Sequence, residues 1–323
     1  MSLVLVTGAT GRIGSHVSEA LMTRNDEVRA IVRSASKGTI PSGAEKFEAD
    51  ISSSALPPAA FDGVSKVVHL AGLVGEFPAS ELVRQNALAT RNLLSSCPLS
   101  LQKFIHASSI SVYGEYGGQV VDESFHPRPD SHYGKSKLLA EEFCSEYFKD
   151  FPIVMLRFGM VYGSGFEDRY FKVLEYIEKG KMKILGDGTN RIPFVHVNDV
   201  VSAVLAALDA SAPSGSAYNI VGPDTRTQEE IYRAAAQELG VPHPKGHASP
   251  YLAKFAAMSL SAAASLSFGK PPSVTVEHIR RLTLDRAYSC EKAKKELGWE
   301  PKVKLEEGIA EMVRLYKSRK QVE

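Results

Sequence analysis

The chain has 323 residues, 44% of them hydrophobic, with 38 basic against 37 acidic side chains. This length allows one large domain or two coupled ones, and a net charge of +1 gives no electrostatic reason to expect nucleic acid as a partner. The three cysteines have neither metal-ligand spacing nor a disulfide framework. We therefore expect a cytoplasmic protein without a bound metal.

Short apolar runs alternate with helix-period stretches in the N-terminal half of the chain. Several of the runs are apolar nearly throughout, as strands covered on both faces should be. They predict strands at Leu3–Thr7, Val28–Val32, Lys46–Ala49, Lys66–Leu70, Lys103–Ala107 and Ile153–Arg157. The alternation predicts an α/β fold with a doubly wound parallel sheet. Because the first strand begins at Leu3, we expect no signal peptide.

Gly8, Gly11 and Gly14 follow the first strand with the spacing G-x-x-G-x-x-G. Glycine permits a tight turn and a close approach of the backbone to a ligand. The helix predicted to start here directs its unpaired N–H groups at whatever lies before it. The segment Thr7–Gly14, with Thr10, Arg12 and Ile13 between its glycines, is therefore predicted to bind the pyrophosphate of a dinucleotide.

The second predicted strand is followed by Arg33. Sites for NAD place an acidic residue near this position, whereas a guanidinium suits the 2′-phosphate of NADP. We therefore favour NADP over NAD, with Arg12 as a second contact; alternatively, Arg33 is a solvated strand end. Asp50, after the third strand, is predicted either to meet the adenine amino group or to cap a helix.

Tyr133 and Lys137 are separated by one helical turn, so they share one face of a helix. A tyrosine binds its proton too tightly to act as a base at neutral pH, and a neighbouring ammonium would lower the pKa of the phenol. This pair is typical of proton transfer beside a nicotinamide. A hydroxyl at the end of the fifth strand should complete the site, and the spacing alone leaves Ser108, Ser109 and Ser111 as candidates.

The regular alternation ends after residue 160, where shorter elements and then mainly helices follow. Asn198 and Asp199 are predicted to cap a helix over Val200–Leu208. We predict a dinucleotide-binding domain of residues 1–160 and 192–222, and a substrate-binding domain of residues 161–191 and 223–323. The apolar segment 251–268 contains Lys254 and is only marginally long enough to cross a bilayer. We predict a packed amphipathic helix there, with peripheral membrane contact as the alternative.

Together these motifs resemble the extended short-chain dehydrogenase/reductases, the NAD(P)-dependent epimerase/dehydratase group, over nearly the whole chain. The resemblance implies an enzyme with a doubly wound (Rossmann) sheet and a smaller, mainly helical substrate domain. It selects Ser109 as the hydroxyl that acts with Tyr133 and Lys137. The resemblance also extends the predicted set of cofactor-binding residues. The full set is Gly8, Thr10, Gly11, Arg12, Ile13, Gly14, Arg33, Asp50, Ile51, Leu70, Ala71, Gly72, Asn86, Tyr133 and Lys137.

The resemblance leaves the substrate class open. Nucleotide-sugar epimerases and dehydratases of this family carry an Asn where this chain has Met160, and an Arg where it has Ile192. Arg191 lies one residue out of register, and it, Arg281 or Arg286 could compensate. We therefore favour an apolar secondary alcohol or ketone, as in the hydroxysteroid-dehydrogenase and dihydroflavonol-reductase branch, with Ser109, Met160 and Arg191 facing the substrate.

Two alternatives to this function are carried forward. One is a nucleotide-sugar 4-epimerase or dehydratase that acts on a UDP- or dTDP-sugar with the same site, and the other is a cofactor-binding redox sensor without turnover. The resemblance also implies a homodimer, and the helix bearing Tyr133 and Lys137 has a second apolar face.

Overall fold

The computed structural model describes residues 2–33, 38–255, 258–259 and 276–322. Its strands, in chain order, are β1 (Leu3–Thr7), β2 (Glu27–Val32), β3 (Glu45–Glu48), β4 (Val64–His69), β5 (Lys103–Ser109), β6 (Val120–Val121), β7 (Ile153–Phe158), β8 (Met160–Tyr162), β9 (Ile184–Leu185), β10 (Arg191–Ile192), β11 (Phe194–His196), β12 (Ser216–Ile220), β13 (Arg226–Thr227), β14 (His247–Ala248) and β15 (Ala287–Tyr288). Apart from the helical residues at 250–255 and 258–259, its α-helices are α1 (Arg12–Thr23), α2 (Ala79–Leu82), α3 (Ala89–Leu94), α4 (His132–Ser145), α5 (Glu167–Glu178), α6 (Val197–Asp209), α7 (Gln228–Leu239), α8 (Val276–Thr283), α9 (Glu291–Leu297) and α10 (Leu305–Val322).

A sheet of seven parallel strands forms the centre of the fold, in the order β3-β2-β1-β4-β5-β7-β12. All six strands predicted in the N-terminal half are present, with their ends close to the predicted ones. The predicted doubly wound α/β fold is confirmed. The strand order reverses between β1 and β4, so the chain leaves the carboxyl ends of these neighbours in opposite directions and opens a crevice there.

Helices cover the sheet on both faces. One hydrophobic cluster packs Val17 and Leu21 of α1 and Val204 of α6 against β1, β2 and β7, and a second packs Leu93 of α3 and Cys144 of α4 against the other face. A third cluster, farther along the chain, joins α5, α7 and α10. Burial on both faces explains why inner strands such as β1 and β5 are buried almost throughout, whereas the edge strand β3 is largely exposed and charged.

The start of α6 differs from the prediction. His196 is the N-cap, because its Nδ1 accepts a hydrogen bond from the Asn198 N–H at 3.3 Å. Asp199 lies inside the helix, where its carboxylate accepts bonds from the backbone N–H groups of Lys302 and Val303 at 2.9 and 3.1 Å. The predicted capping by Asn198 and Asp199 is therefore wrong, since a distant segment of the chain takes the carboxylate.

Most of the apolar segment predicted as a helix at 251–268 lies outside the described residues, and its residues 251–255 are helical. Within the ranges that the structure describes, no helix has the length and hydropathy that crossing a bilayer requires.

Candidate active site

Two adjoining cavities lie at the carboxyl ends of β1, β4 and β5. The smaller encloses about 200 Å³ and reaches the end of β2, while the larger encloses about 420 Å³ and reaches α4 and β8. Both are lined by Gly8, Gly11, Leu70, Gly72 and Leu73. They therefore form one cleft along the sheet edge, at the reversal of strand order where such folds bind their ligands.

The glycine motif forms the floor of this cleft. Gly11 N–H donates to the Gly8 carbonyl at 2.8 Å, and Gly8 has a φ of +73°, which glycine adopts without strain. A Cβ on Gly8 would lie 2.7 Å from Ala71 N, and one on Gly14 would lie 2.0 Å from Gly8 O. Only glycine fits this turn, and α1 begins immediately after it. The arrangement fits the pyrophosphate of a dinucleotide.

Arg33, Asp50 and Ile51 line the smaller cavity, as expected for the adenosine end of a dinucleotide. The Asp50 carboxylate accepts bonds from Ser52 N and Oγ at 2.9 and 2.7 Å, so it also caps a local turn. Burial acts to raise the pKa of Asp50, but the bonds from Ser52 and the charges of Arg33 and Arg84 outweigh it and lower the pKa. Asp50 is therefore held as an anion at the cavity wall.

Arg12 lies apart from Arg33. Its guanidinium pairs with Asp168 at 2.6 Å and lies 5.4 Å from the centre of the Phe166 ring, and Arg12 lines the larger cavity. A second contact of Arg12 with a 2′-phosphate, predicted above, does not agree with this placement. The reason is the partner, since Asp168 is remote from Arg12 along the chain and becomes a neighbour only when α5 folds over α1.

Asn86 lies behind the cleft wall rather than in it. It is part of a π-helical turn, Val83–Leu88, that joins α2 to α3. Its Oδ1 accepts from Leu73 N at 2.7 Å, and its Nδ2 donates to Ser136 Oγ at 2.9 Å, which in turn donates to the Tyr133 carbonyl at 2.8 Å. Asn86 thus holds the loop of Leu70–Leu73 against α4. The help in holding the cofactor that the family resemblance implies for Asn86 stays a prediction.

A buried histidine at the end of β4 continues this network. His69 Nδ1 lies 2.6 Å from Thr7 Oγ1, and its Nε2 lies 2.9 Å from Thr90 Oγ1. Because Thr90 donates to the Asn86 carbonyl at 2.6 Å, it must accept from His69, which places the imidazole proton on Nε2. Burial, together with the charge of Lys137, lowers the pKa of His69 to about 3, so the ring is neutral.

Tyr133 and Lys137 lie in the first and second turns of α4 and both line the larger cavity. Ser131 caps this helix by accepting from Gly134 N at 3.0 Å. The Lys137 ammonium makes no hydrogen bond to the part of the chain that the structure describes, although the residue is only 6% exposed. Burial lowers the pKa of Lys137 to about 8, with Glu141 and Cys144 acting in the opposite direction. A buried ammonium without a partner fits the ribose hydroxyls of a nicotinamide dinucleotide.

The three candidate serines all line the larger cavity, and their partners distinguish them. Ser108 Oγ donates to the Glu141 carboxylate at 2.5 Å, and this bond uses its proton. Within the described part of the chain, Ser109 Oγ, at the end of β5, bonds only to its near neighbour Ser111: it accepts from Ser111 N at 3.1 Å and donates to Ser111 Oγ at 3.2 Å, a longer bond than that of Ser108 to a carboxylate. The Ser109 hydroxyl is therefore the more available to a substrate.

The remaining walls of the larger cavity are mostly apolar, with one cationic side chain at the far end. Met160 lies there beside Arg286, whose Nη2 is 3.4 Å from the Met160 sulfur. Other wall residues are Leu73, Val74, Phe77, Phe158, Val161, Phe166 and Tyr170. Among the described residues that line this cavity, none carries a carboxylate.

Arg191, predicted to face the substrate, does not line the cavity. Its Nε and Nη2 pair with the two oxygens of Asp285 at 2.8 and 2.7 Å. This ion pair turns Arg191 away, and Arg286, on the chain just after Asp285, lines the cavity instead. The side chain of Arg281, also considered above, lies outside the described part of the chain.

Comparison with known proteins adds to this geometry. The profile of the NAD-dependent epimerase/dehydratase family matches residues 4–221. The chain belongs to this family. It is therefore an enzyme of the extended short-chain dehydrogenase/reductase type, which confirms the resemblance inferred from its motifs.

Individual relatives differ in the substrates that their names give. A relative from Bacillus subtilis (strain 168), named an uncharacterized UDP-glucose epimerase, is 31% identical over 246 residues, 68% of this chain and 77% of that protein. A 3β-hydroxysteroid dehydrogenase/Δ5→4-isomerase from Mycobacterium tuberculosis is 28% identical and covers 98% of this chain and 90% of its own. The crystal structure of UDP-glucuronic acid 4-epimerase from Bacillus cereus in complex with NAD has a TM-score of 0.76 and 26% identity, over 97% and 99% of the two chains.

Proposed function

We propose that this enzyme is an NAD(P)-dependent oxidoreductase that interconverts a secondary alcohol and its ketone. The main observation in favour of this proposal is that Ser109, Tyr133 and Lys137 line one cavity together with the glycine motif. This arrangement brings a proton donor, a hydrogen-bonding hydroxyl and an ammonium to the same place beside the dinucleotide cleft. Holding the reactants at contact distance supplies much of the rate enhancement in such a site.

Each of these side chains has a distinct part in the proposal. Tyr133 gives or takes the proton of the substrate oxygen, and Ser109 donates a hydrogen bond to that oxygen. Lys137 holds the ribose hydroxyls, and its charge stabilises the phenolate form of Tyr133. A bound nicotinamide supplies the hydride chemistry. The apolar side chains around the site exclude water from it.

An apolar substrate fits the larger cavity better than a strongly polar one. Its walls are mainly aliphatic and aromatic, and Met160 lies where family members with nucleotide-sugar substrates carry an Asn. The similarity to a hydroxysteroid dehydrogenase over 98% of this chain supports the same class of substrate.

NADP is the cofactor that we propose. Arg33 lies in the wall of the smaller cavity, next to Asp50, where the adenosine ribose of a dinucleotide would lie. A guanidinium there suits a 2′-phosphate. NAD is the alternative, and it is the dinucleotide bound in the solved Bacillus cereus relative.

The second candidate function is that of a nucleotide-sugar 4-epimerase or dehydratase. Arg286 favours it, because a cation at the far end of the larger cavity could meet a diphosphate. The names of the Bacillus relatives point the same way. A redox sensor without turnover, the third candidate, finds less support because Ser109, Tyr133 and Lys137 are all present.

Three further proposals concern the whole protein. The separate hydrophobic cluster of α5, α7 and α10 supports a substrate-binding domain of residues 161–191 and 223–323 beside a cofactor domain of residues 1–160 and 192–222. Phe143 on α4, which is only partly buried, supports a homodimer through this helix. Free thiols at Cys97, Cys144 and Cys290 support a reducing, cytoplasmic location.

The test compares wild-type protein with Tyr133→Phe. NADPH and NADH oxidation is followed with apolar cyclic ketones, and conversion of UDP-glucose is followed by chromatography of the sugar products. We expect turnover of a ketone with NADPH, lost in the variant while NADPH affinity is retained. Conversion of UDP-glucose without ketone turnover would favour the epimerase, and tight cofactor binding with neither reaction would favour the sensor.

A further inference from the structure

An exposed apolar face follows β14 along the chain. Residues 250–255 and 258–259 are helical. The large apolar side chains of this stretch are all more than half exposed: Tyr251 (83%), Leu252 (72%), Phe255 (71%) and Met258 (59%). Their spacing places all four within about a third of the circumference of a helix. Large apolar side chains that are exposed next to one another mark an interaction site, whereas a single exposed one does not.

Backbone hydrogen bonds attach this face to the folded body of the protein. β14 pairs in parallel with β9, where Ile184 N donates to the Gly246 carbonyl at 2.9 Å. Ile184 itself belongs to the hydrophobic cluster of α5, α7 and α10. Ala253 N donates to the Ser249 carbonyl at 3.0 Å, so the helical residues follow β14 directly. The apolar face is therefore presented by an element that the rest of the fold holds in place.

The chain around this face is basic. The sequence has no acidic residue over 239–276, although 37 of the 323 residues of the chain are acidic. Lys183 and Lys245 are exposed, and a Cβ on Gly246 would lie 3.8 Å from Lys183 Cγ, so the two lysines are neighbours at the start of the β9–β14 pair. Lys254 lies on the helical stretch itself. Within the part of the chain that the structure describes, none of these three lysines forms an ion pair.

This combination of charge and apolar surface distinguishes between the possible partners. A helix that presents an apolar face beside lysines is typical of proteins that lie in the surface of a membrane. Anionic lipids attract clustered lysines, and aromatic side chains such as that of Tyr251 favour the level of the lipid headgroups. Asp187, in the turn after β9, carries a negative charge nearby, but the three lysines outweigh it. The basic surroundings therefore favour an anionic lipid surface over an apolar protein surface.

We propose that this face docks the protein onto a membrane surface that contains anionic lipids. The four apolar side chains enter the boundary between headgroups and acyl chains, and the lysines meet the lipid phosphates. The helical stretch lies on the membrane and does not cross it, in agreement with the lack of a membrane-spanning helix among the described residues. Docking would bring the enzyme to the phase in which an apolar substrate concentrates, but it does not depend on the proposed function.

The test measures binding of the full chain to lipid vesicles. Vesicles of phosphatidylcholine alone are compared by co-sedimentation with vesicles that contain about one-third phosphatidylglycerol. We expect binding to the anionic vesicles, weakened at high salt because screening shortens the reach of the lysine charges. Tyr251→Ser with Phe255→Ser should weaken this binding at least about tenfold. Lys183→Gln with Lys245→Gln should weaken it roughly fivefold for each lysine, and only on the anionic vesicles.

Leu99→Ser is the matched control, because Leu99 is 75% exposed and lies outside this face. It should leave vesicle binding unchanged. No vesicle binding by the wild type, or equal binding by the wild type and the Tyr251→Ser/Phe255→Ser variant, would overturn the proposal. Self-association of the wild type in light scattering, lost in that variant and without vesicle binding, would show that a second copy covers the face and would overturn it too.

Thermal unfolding shows whether each variant folds. If the apolar variant does not fold, the lysine variant and the lipid dependence of the wild type decide the outcome. Vesicle binding without turnover of any ketone would overturn the proposed function alone.

Discussion

His69 Nδ1 lies 2.6 Å from Oγ1 of Thr7, the residue that opens the glycine motif. The bond ties the end of β4 to the end of β1, the two strands between which the cleft opens. It also forms one end of a chain of hydrogen bonds that continues through Thr90 and Asn86 to the helix of Tyr133. The neutral imidazole therefore couples the glycine loop to α4, the helix that carries Tyr133 and Lys137.

Replacing the His69 imidazole should make the free energy of unfolding less dependent on pH in the acidic range. The pKa of His69 is lowered to about 3 in the folded protein, whereas an unfolded histidine titrates near 6.5. The unfolded state thus binds the extra proton first, and stability due to the neutral ring is lost as pH falls from 6.5 toward 3. Relative to His69→Gln, the wild type should lose about 3 kcal/mol of unfolding free energy between pH 7 and pH 4. Urea denaturation at each pH measures this. If the free energy of unfolding depended on pH in the same way in both proteins, the prediction would be contradicted.

Replacing the buried ammonium should stabilise the fold at neutral pH. Because burial lowers the pKa of Lys137 to about 8 from 10.5, the unfolded chain binds the proton more tightly and charging the lysine destabilises the native state. Lys137→Met should therefore gain roughly 2–3 kcal/mol of unfolding free energy at pH 7. This gain should shrink as pH rises from 8 to 10.5, and NADPH affinity should fall.

The exposed Lys135 on the same helix provides the control for this variant. Lys135→Met should change neither the free energy of unfolding nor the affinity for NADPH beyond experimental error. If Lys137→Met were less stable than the wild type at pH 7, this would contradict the inference that the buried charge of Lys137 destabilises the native state.

Replacing Arg33 should change the choice of cofactor. Losing a charge-assisted contact with a 2′-phosphate costs about 1.5–3 kcal/mol, so Arg33→Ala should weaken NADPH binding roughly 10- to 100-fold and leave NADH binding nearly unchanged. Isothermal titration with both cofactors measures the ratio. Lys46→Ala, an exposed change on the neighbouring strand β3, is the control. Equal weakening of NADPH and NADH binding would contradict the proposal that NADP is the cofactor.

Replacing Arg191 should affect the stability of the protein, whereas replacing Arg286 should affect ligand binding. Arg191→Met breaks the pair with Asp285, and it should lower the free energy of unfolding by about 1–3 kcal/mol with little change in KM. Arg286→Met removes the cation beside Met160 from the larger cavity, so it should weaken binding of UDP-glucose and leave binding of apolar ketones intact. Thermal unfolding and ligand titration of both variants test this. A large rise in KM with Arg191→Met would reverse the assignment.

Much of the fold follows from local sequence. Strands such as Leu3–Thr7 and Ile153–Phe158 begin with runs of at least four apolar residues, because both of their faces are covered, and such runs can be recognised from the sequence alone. The glycine spacing and the one-turn separation of Tyr133 and Lys137 are equally local, since a turn and a helix impose them. These features determined the family.

Other features depended on which distant residues the fold brings together. Arg12 meets Asp168 and Arg191 meets Asp285, and in both cases the partner redirects a side chain that the sequence had placed toward a ligand. Asn86 meets Ser136, which lies far from it along the chain. The local sequence pattern does not predict these pairs, because an ion pair or a buried hydrogen bond between distant residues forms only where the fold brings them close together. The sequence by itself thus determined the sheet, the glycine loop and the one-turn spacing of Tyr133 and Lys137, while only the tertiary structure decided which polar groups face the cleft and which hold it in shape.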